Sequence, residues 1–569
     1  MMDKPEKNPG FHFDIHASVV LQLGDTLISD VAQALVELVK NSYDADASYA
    51  KVIIDTEGKP GGQSFYSDAV GYISIEDDGI GMDEATIRRG WLTVSNSPKR
   101  EMKRLGLTTE HGRTPLGDKG LGRLCAQRLA YNLEIFTRPQ GSSTEYHLAF
   151  SWNSFLENNI TLTEVPLFFE ELPPQRSQGT KLLITGLKDI ELWKDNVSET
   201  NPENLQVGLS RLISPYAEVQ DFVVSVIFNG RRLDFAEYSS QYKRAAILNY
   251  KFNFDGKELQ IRGKAKLDFF KPGRYTSNEE KQEYRSLVQN DTGKKFFDFL
   301  MNLKQAERYG LKKSNEDAWY IEYEYNRVFV TIDKIALLNA KPANPGPFHG
   351  ELDSFYLDDR SDATIKAFVE AMDGLRVYRD GFGIRIDSDL FELKKQQTSG
   401  KSFYGLRPGN ITGYIALSAK DNACLEETTN RESFQDTPYY KNFYLIMREF
   451  SKFTLDVQTF VRRGYNSFKE KEKTINMTKE DIQPEKISEE INVALLSATI
   501  HGESLKKTKE TLEGVTRDAE QIRKITEGIL PVNTEESQPI YAATYTIAQT
   551  IDQARKEVNR VEVYLQDIS

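Results

Sequence analysis

The sequence predicts an α+β chain: an α/β sandwich with a mixed sheet and helices on one face, then a second α/β unit, then a helical tail. Three observations carry this reading. First, Asp30–Ala47 (D-V-A-Q-A-L-V-E-L-V-K-N-S-Y-D-A-D-A), set on a helix at about 100° per residue, splits into two faces. Ile28, Val31, Leu35 and Val39 make an apolar stripe, and Gln33, Glu37, Asn41 and Asp44 make a polar column opposite it. Second, Tyr72–Met82 (Y-I-S-I-E-D-D-G-I-G-M) alternates as a strand and stops at acids and glycines. Third, short strand-like segments recur after it, whereas the tail changes to apolar or small residues three and four apart.

In chain order, an extended segment at 11–24 leads into the helix. Strands are expected at Lys51–Asp55, Tyr72–Ile75, Leu133–Thr137, Glu145–Phe150, Ile160–Val165 and Lys181–Thr185, with a turn at Lys59-Pro60-Gly61-Gly62. A short helix about Ala85–Arg89 precedes a long polar loop reaching residue 116, and loops that long inside a domain are usually functional or disordered. The second unit opens with a strand at Phe222–Phe228 and a hairpin signal at Asn229-Gly230. It continues with a charged helical run at 277–316, read as an insertion, and a Pro/Gly-rich linker at Lys341–Pro347. A hairpin about Arg379-Asp380-Gly381, a strand at Asn410–Ser418 and a helix from about Tyr439 follow. In the tail, Leu512, Val515, Ala519, Ile522 and Thr526 keep a heptad rhythm that returns from Ile547 to Leu565, with Pro531 and Pro539 between. That pattern suits a coiled coil or an antiparallel helical hairpin. The expected division is 1–215, 216–465 and 466–569.

Composition narrows the function classes. At about 150 residues per domain, 569 residues give three to four units, and 39% hydrophobic residues suffice for packed cores. A net charge of −12 argues against wholesale nucleic-acid binding without excluding a local basic patch. The two cysteines, Cys125 and Cys424, are too far apart in sequence to suggest a disulfide framework or a Cys-based zinc site. The N-terminus is polar and no run of about 18 apolar residues occurs, so a cytoplasmic protein without membrane association is expected.

The polar column suits a metal-bound anion or a solvated helix face, and spacing alone leaves both open. Gly117–Leu124 (G-D-K-G-L-G-R-L) places glycines before a helix-like Cys125–Ala130, so backbone N–H groups and the positive helix end could meet phosphate. The Walker A pattern is not met.

The order of these boxes (acid–amide helix, strand into D-D-G-I-G-M, polar loop, then G-x-K-G-x-G-R) resembles the GHKL ATPases. That superfamily includes DNA gyrase B subunits, the ninety-kilodalton heat-shock chaperones, sensor histidine kinases and MutL mismatch-repair proteins. The resemblance covers roughly the first 215 residues and continues more weakly to about residue 465. It implies ATP with Mg2+. By it, Asn41 offers its amide oxygen to the metal and Glu37, one turn earlier, positions or deprotonates the attacking water. Asp77 accepts the exocyclic amine of adenine, and Asp78 stands where relatives often have Asn or Thr. Gly79 and Gly81 let the backbone approach the nucleotide, with Asp44, Ala45, Met82 and Leu121 among the nucleotide contacts. Gly117, Lys119, Gly120, Gly122 and Arg123 face the triphosphate. Residues 91–116 become a lid in which Thr93, Ser95, Ser97 and Lys99 reach phosphate, and Thr180 stands near adenine. In the second unit, Thr428–Gln435 (T-T-N-R-E-S-F-Q) resembles the chaperone segment N-x-S-R-E-x-L-Q, which gives Arg431 a role at the γ-phosphate.

The implied function is an ATP-hydrolysing conformational switch. Mg-ATP closes the lid and drives dimerisation, through the C-terminal helices and an ATP-dependent N-terminal contact, on behalf of a protein or nucleic-acid-linked partner. The layout looks most like bacterial relatives of the chaperone and microrchidia ATPases, some of which serve in DNA-associated or defence systems. One alternative is a nucleotide-gated scaffold with little turnover. Another is a sensor histidine kinase, which would place its phospho-acceptor helices before the nucleotide domain; here the helices follow it, and His501 (A-T-I-H-G-E-S) lacks the usual acidic neighbour.

Overall fold

A computed structural model describes residues 14–27, 31–94, 98–117, 122–157, 160–188, 190, 193, 202–216, 221–272, 277–325, 343–357, 361–384, 391, 406, 409–428, 433–476 and 517. The chain separates into a compact unit spanning residues 1–468 and another spanning 469–569. Two eight-stranded sheets build the first. The heptad segments of the tail lie outside the described residues.

The first sheet contains β1 (Tyr49–Asp55), β2 (Tyr72–Asp77), β3 (Ala130–Arg138), β4 (Glu145–Ser151), β5 (Phe168–Leu172), β6 (Gly179–Leu187), β7 (Val223–Phe228) and β8 (Arg231–Leu233). Their spatial order is β5-β4-β3-β6-β2-β1-β7-β8. Neighbours run antiparallel except β1 and β7, which are parallel. The strand at Phe222–Phe228, expected to open the second unit, therefore lies in the first sheet. The helix Pro202–Leu212 falls between β6 and β7, and a helical crossover is what parallel pairing requires. Asn229 and Gly230, at φ 45° and 79°, make the tight β7–β8 turn that their sequence signals.

Ile160–Val165 is not the strand expected from its alternation. The backbone N–H and hydroxyl of Thr161 both donate to Glu164 Oε2, at 2.9 and 2.7 Å, and a short 3-10 turn forms at Leu162–Glu164. This local bonding competes with the ladder, and the edge strand begins later, at Phe168.

The helix Val31–Asp44 is buried along almost its whole length. Leu35, Leu38 and Val39 share one apolar core with Ile54 of β1 and with Ile73 and Ile75 of β2. Burial on that scale fixes the helix rotation, and hence where its polar column points.

The second sheet contains β9 (Leu248–Phe254), β10 (Leu259–Ala265), β11 (Lys312–Lys313), β12 (Ile321–Tyr325), β13 (Phe348–Ser354), β14 (Gly374–Arg379), β15 (Phe382–Ile384) and β16 (Ile411–Leu417), in the order β11-β12-β10-β9-β13-β16-β14-β15. The long helix Pro438–Asn476 packs on it through Phe443, Phe450, Phe453, Val457 and Val461. The 277–316 run is helical at Asn278–Tyr284, Lys294–Met301 and Lys304–Arg308. Its Phe296 is fully buried against Phe270, Tyr465 and Phe468, so this charged run contributes an apolar seam to the core.

The two sheets meet at the β14–β15 hairpin, whose turn residues Asp380 and Gly381 adopt φ 47° and 80°. Ser214 N–H donates to Gly381 O at 2.7 Å, Ile213 and Phe382 form an antiparallel bridge, and the Tyr378 hydroxyl donates to Ser210 O at 2.7 Å. The tip of the second sheet is thus bonded to the end of the helix Pro202–Leu212, and Phe382 enters the core of the first sheet.

Within the second sheet, Asp353 is fully buried and accepts from Asn249 Nδ2 at 2.8 Å. Burial, reinforced by the Glu351 charge, pushes its carboxyl up to about 7, against the pull of Asn249, Lys243 and Lys251. An unfolded aspartate titrates near 4, so between about pH 4 and 7 the native state holds a proton that the unfolded state has lost. Stability from this group therefore falls as pH rises through that window. Urea unfolding of Asp353→Asn across the same window is expected to give a flatter pH dependence than the parent chain.

Candidate functional site

The polar column of the helix Val31–Asp44 carries the site. Gln33 and Asp44 are buried, while Glu37 and Asn41 are half-buried. Glu37 Oε1 accepts from Lys40 Nζ at 2.9 Å. One turn on, the ammonium of Lys99 donates to Asn41 Oδ1 at 3.2 Å and to Asp44 Oδ2 at 2.7 Å. Asp44 also accepts the N–H groups of Leu116, at 2.7 Å, and Gly117, at 3.0 Å. Lys99 stands on the short helix Pro98–Arg104, so the column gathers both this segment and the start of the glycine-rich loop. An amide oxygen and a carboxylate chelating one ammonium are, by their donor chemistry, a seat for a cation.

Asp77 ends β2 beneath that column. Its Oδ2 accepts from Ser42 Oγ at 2.8 Å, and its Oδ1 accepts the N–H groups of Gly79 and Thr180, each at 3.1 Å. Burial pushes this carboxyl up, the three bonds pull it down, and Asp78 adds to the rise. Three bonds leave about one of a carboxylate's four acceptor positions for an incoming donor. Asp78 is bonded elsewhere. It accepts from Ser48 N at 2.7 Å and Tyr49 N at 3.2 Å, which ties the turn to the start of β1. Those bonds outweigh its partial burial and hold its carboxyl below the usual range.

The glycine turn after Asp77 is pressed against backbone on both sides. A Cβ on Gly79 would lie 2.5 Å from Ala45 O, and one on Gly81, at φ 64°, would lie 2.0 Å from Arg138 O. Ile80 N–H donates to Ala45 O at 2.9 Å, and Met82 N–H to Thr137 Oγ1 at 2.9 Å. Thr137 and Thr180 hydroxyls are bonded to each other at 3.0 Å, completing the floor around Asp77.

Gly122 begins a 3-10 turn over Glu37, where a Cβ would stand 3.9 Å from Glu37 Oε2. Glu37, Asn41, Asp44, Lys99, Gly117 and Gly122 are thus brought together, and Asp77, Ala45, Gly79, Gly81, Met82 and Thr180 line the floor behind them. Ser95, Ser97, Lys119, Gly120, Leu121, Arg431 and His501 lie outside the described residues, as does the side chain of Arg123. Thr93 bonds back to Arg88 O at 2.9 Å.

Four side chains at the site escape a reading based on faces and motifs. Ser42 and Lys40 stand beside Asn41 but off the polar column, and Thr137 is next to last in β3, between Phe136 and Arg138. Arg113, 5% exposed, donates to Tyr43 O and Ala47 O at 3.0 and 2.8 Å and pairs with Asp221 at 2.9 Å. Its guanidinium lies 4.5 Å from the Tyr43 ring centre, anchoring the segment before Gly117 to the polar helix. The only local signal for it is an arginine in a loop, which burial alone makes meaningful.

The model of a family described as histidine kinase-, DNA gyrase B- and HSP90-like ATPase matches residues 28–179. That segment is a GHKL domain. The match runs from the polar helix through the Asp77 turn and the glycine-rich loop to the start of β6. No curated protein matches the chain. GHKL domains bind ATP, usually with Mg2+. The residues present fit that group: an ammonium already stands in for a cation between Asn41 and Asp44, and Asp77 keeps an acceptor for a base amine.

Glycine at position 81 of the GHKL domain answers to two constraints, positive φ and a backbone contact. Gly61, at φ 61° with open space where a Cβ would point, carries only the first. Gly81→Ala is therefore expected to cost at least about 1 kcal/mol more than Gly61→Ala in chemical unfolding.

Proposed function

We propose that this chain is a Mg-ATP-dependent ATPase whose GHKL domain passes its nucleotide state to the second sheet. One observation supports the reading: a single buried helix carries Glu37 and Asn41 on one face, and through Ser42 is also bonded to the carboxylate of Asp77. Asp77 accepts the amine of adenine, Gly79 and Gly81 keep the turn close to it, and Thr180 fixes the carboxylate's orientation. Asn41 would hold the metal through its amide oxygen, Asp44 would stand beside the nucleotide, and Lys99 would move from this pair to phosphate oxygen as nucleotide enters. Magnesium, when bound, offsets the charge on the phosphate oxygens. Glu37 takes the proton of the attacking water; a bond forms from that oxygen to the γ-phosphorus, the bond to the ADP oxygen breaks, and ADP and phosphate leave.

In this reading residues 91–116 act as the lid, the second sheet with its long helix acts as the transducing body, and residues 466–569 supply a dimer contact. The arginine of T-T-N-R-E-S-F-Q, Arg431, would approach the γ-phosphate from the second body. Among the described residues no helix is long and apolar enough to cross a membrane. The partner is a protein or a nucleic-acid-linked assembly, as in DNA-associated or defence systems.

Phosphate release and nucleotide binding separate this from the alternatives. Glu37→Ala is expected to bind an ATP analogue like the parent chain and to lose hydrolysis by about 100-fold or more. Asp77→Asn is expected to lose binding itself. A parent chain that binds ATP yet releases no phosphate above the Glu37→Ala level is a nucleotide-gated scaffold. Labelled phosphate on His501 would instead make it a histidine kinase.

A further inference from the structure

Glu37 is not oriented by the helix alone. Its Oε1 is held by Lys40 Nζ at 2.9 Å, and both side chains are only 11% exposed. Its Oε2 lies on the side of Gly122, where the glycine-rich loop ends. A carboxylate whose one oxygen is anchored and whose other lies toward Gly122 has a fixed direction, which a base working on a single water requires. Lys40 is in turn held from the other side. Its ammonium stands 5.7 Å from the ring centre of Phe382, which belongs to β15 of the second sheet. Phe382 is 3% exposed and meets the Tyr43 ring edge-on at 5.6 Å, and its strand is bridged to Ile213. A cleft of about 30 Å³ between Lys40, Leu116, Arg379 and Phe382 has room for about one water beside the ammonium.

We propose that Lys40 is the positioning residue for Glu37, and that the β14–β15 hairpin of the second sheet sets Lys40 through the face of Phe382. This rests on the ATPase reading and adds to it a physical route by which the second sheet controls the base. Two contacts do the work, Phe382 ring to ammonium and ammonium to carboxylate, and the second carboxylate oxygen lies on the side of Gly122. Moving the hairpin by an ångström or so would swing the ammonium and turn the carboxylate, while the nucleotide contacts of Asp77 and Asn41 stay in place. The second sheet would then govern turnover without governing affinity.

The test uses the full chain, with ATP turnover measured by phosphate release and binding measured with a non-hydrolysable ATP analogue. Lys40→Met keeps the length of the side chain and removes its charge. It is expected to lower kcat roughly tenfold or more, with analogue affinity within about twofold of the parent, and Lys40→Arg is expected to recover part of the loss. Phe382→Leu is expected to lower kcat by a smaller factor. In the Lys40→Met background that factor should vanish, because Phe382 acts through the ammonium. Thermal unfolding of each variant identifies any that fail to fold. Parental kcat in Lys40→Met overturns the proposal, as does an equal loss of kcat and affinity. So does a Phe382→Leu factor that is the same with and without Lys40. A parent chain that binds no analogue instead removes the ATPase reading itself.

Discussion

The carboxylate of Asp77 is the joint on which the site depends. It is nearly out of water, and an isolated charge there would be costly. Three donors make its position tolerable, and each comes from a different element: Ser42 from the polar helix, Gly79 from the glycine turn, Thr180 from β6. The bonds that keep the carboxylate in place therefore also fix the helix, the turn and the sheet relative to one another. The same helix carries Glu37 and Asn41 on its half-buried polar face, so the distance from Asp77 to Glu37 is set by a rigid body rather than by loops. Buried polar groups of this kind specify geometry because any shift leaves one of them unbonded.

Much of this was legible in the sequence for a physical reason: helical and strand periodicities are local. The four-residue steps from Gln33 to Asn41 put acid and amide on one face whatever the rest of the chain does. Asn229-Gly230 and Asp380-Gly381 announce their turns because few residues tolerate positive φ. What was not legible depends on pairing across long separations. Ser42 reads as a neighbour of Asn41 until β2 is placed beneath it. Arg113 reads as a loop arginine until Tyr43 and Ala47 turn their carbonyls toward it. The parallel pairing of β7 with β1 leaves no mark in either strand, and the Thr161–Glu164 bonds show how a local alternative can defeat a fair alternation. The charged run at 277–316 concealed Phe296 because composition averages over a face, whereas burial acts on one side chain at a time.

The lysine between Glu37 and Asn41 is one of the features that neither periodicity nor motif explains. An exposed lysine at a helix surface costs nothing, but one at 11% side-chain exposure must find partners. Lys40 finds one acid on its own helix and one aromatic face on the second sheet. A carboxylate could have been oriented by a neutral donor within the helix. Using an ammonium that also needs Phe382 makes the acid's orientation depend on a contact outside its own domain, and cation–π contacts of about 1–2 kcal/mol when desolvated are strong enough to bias a side chain. They are also weak enough to be exchanged when the hairpin moves. Coupling between bodies needs an element with two accessible arrangements that both sides can influence. On the proposal made above, the ammonium of Lys40, held by one acid and one ring, is the group open to such influence, whereas Asp77, held by donors from three elements, is not.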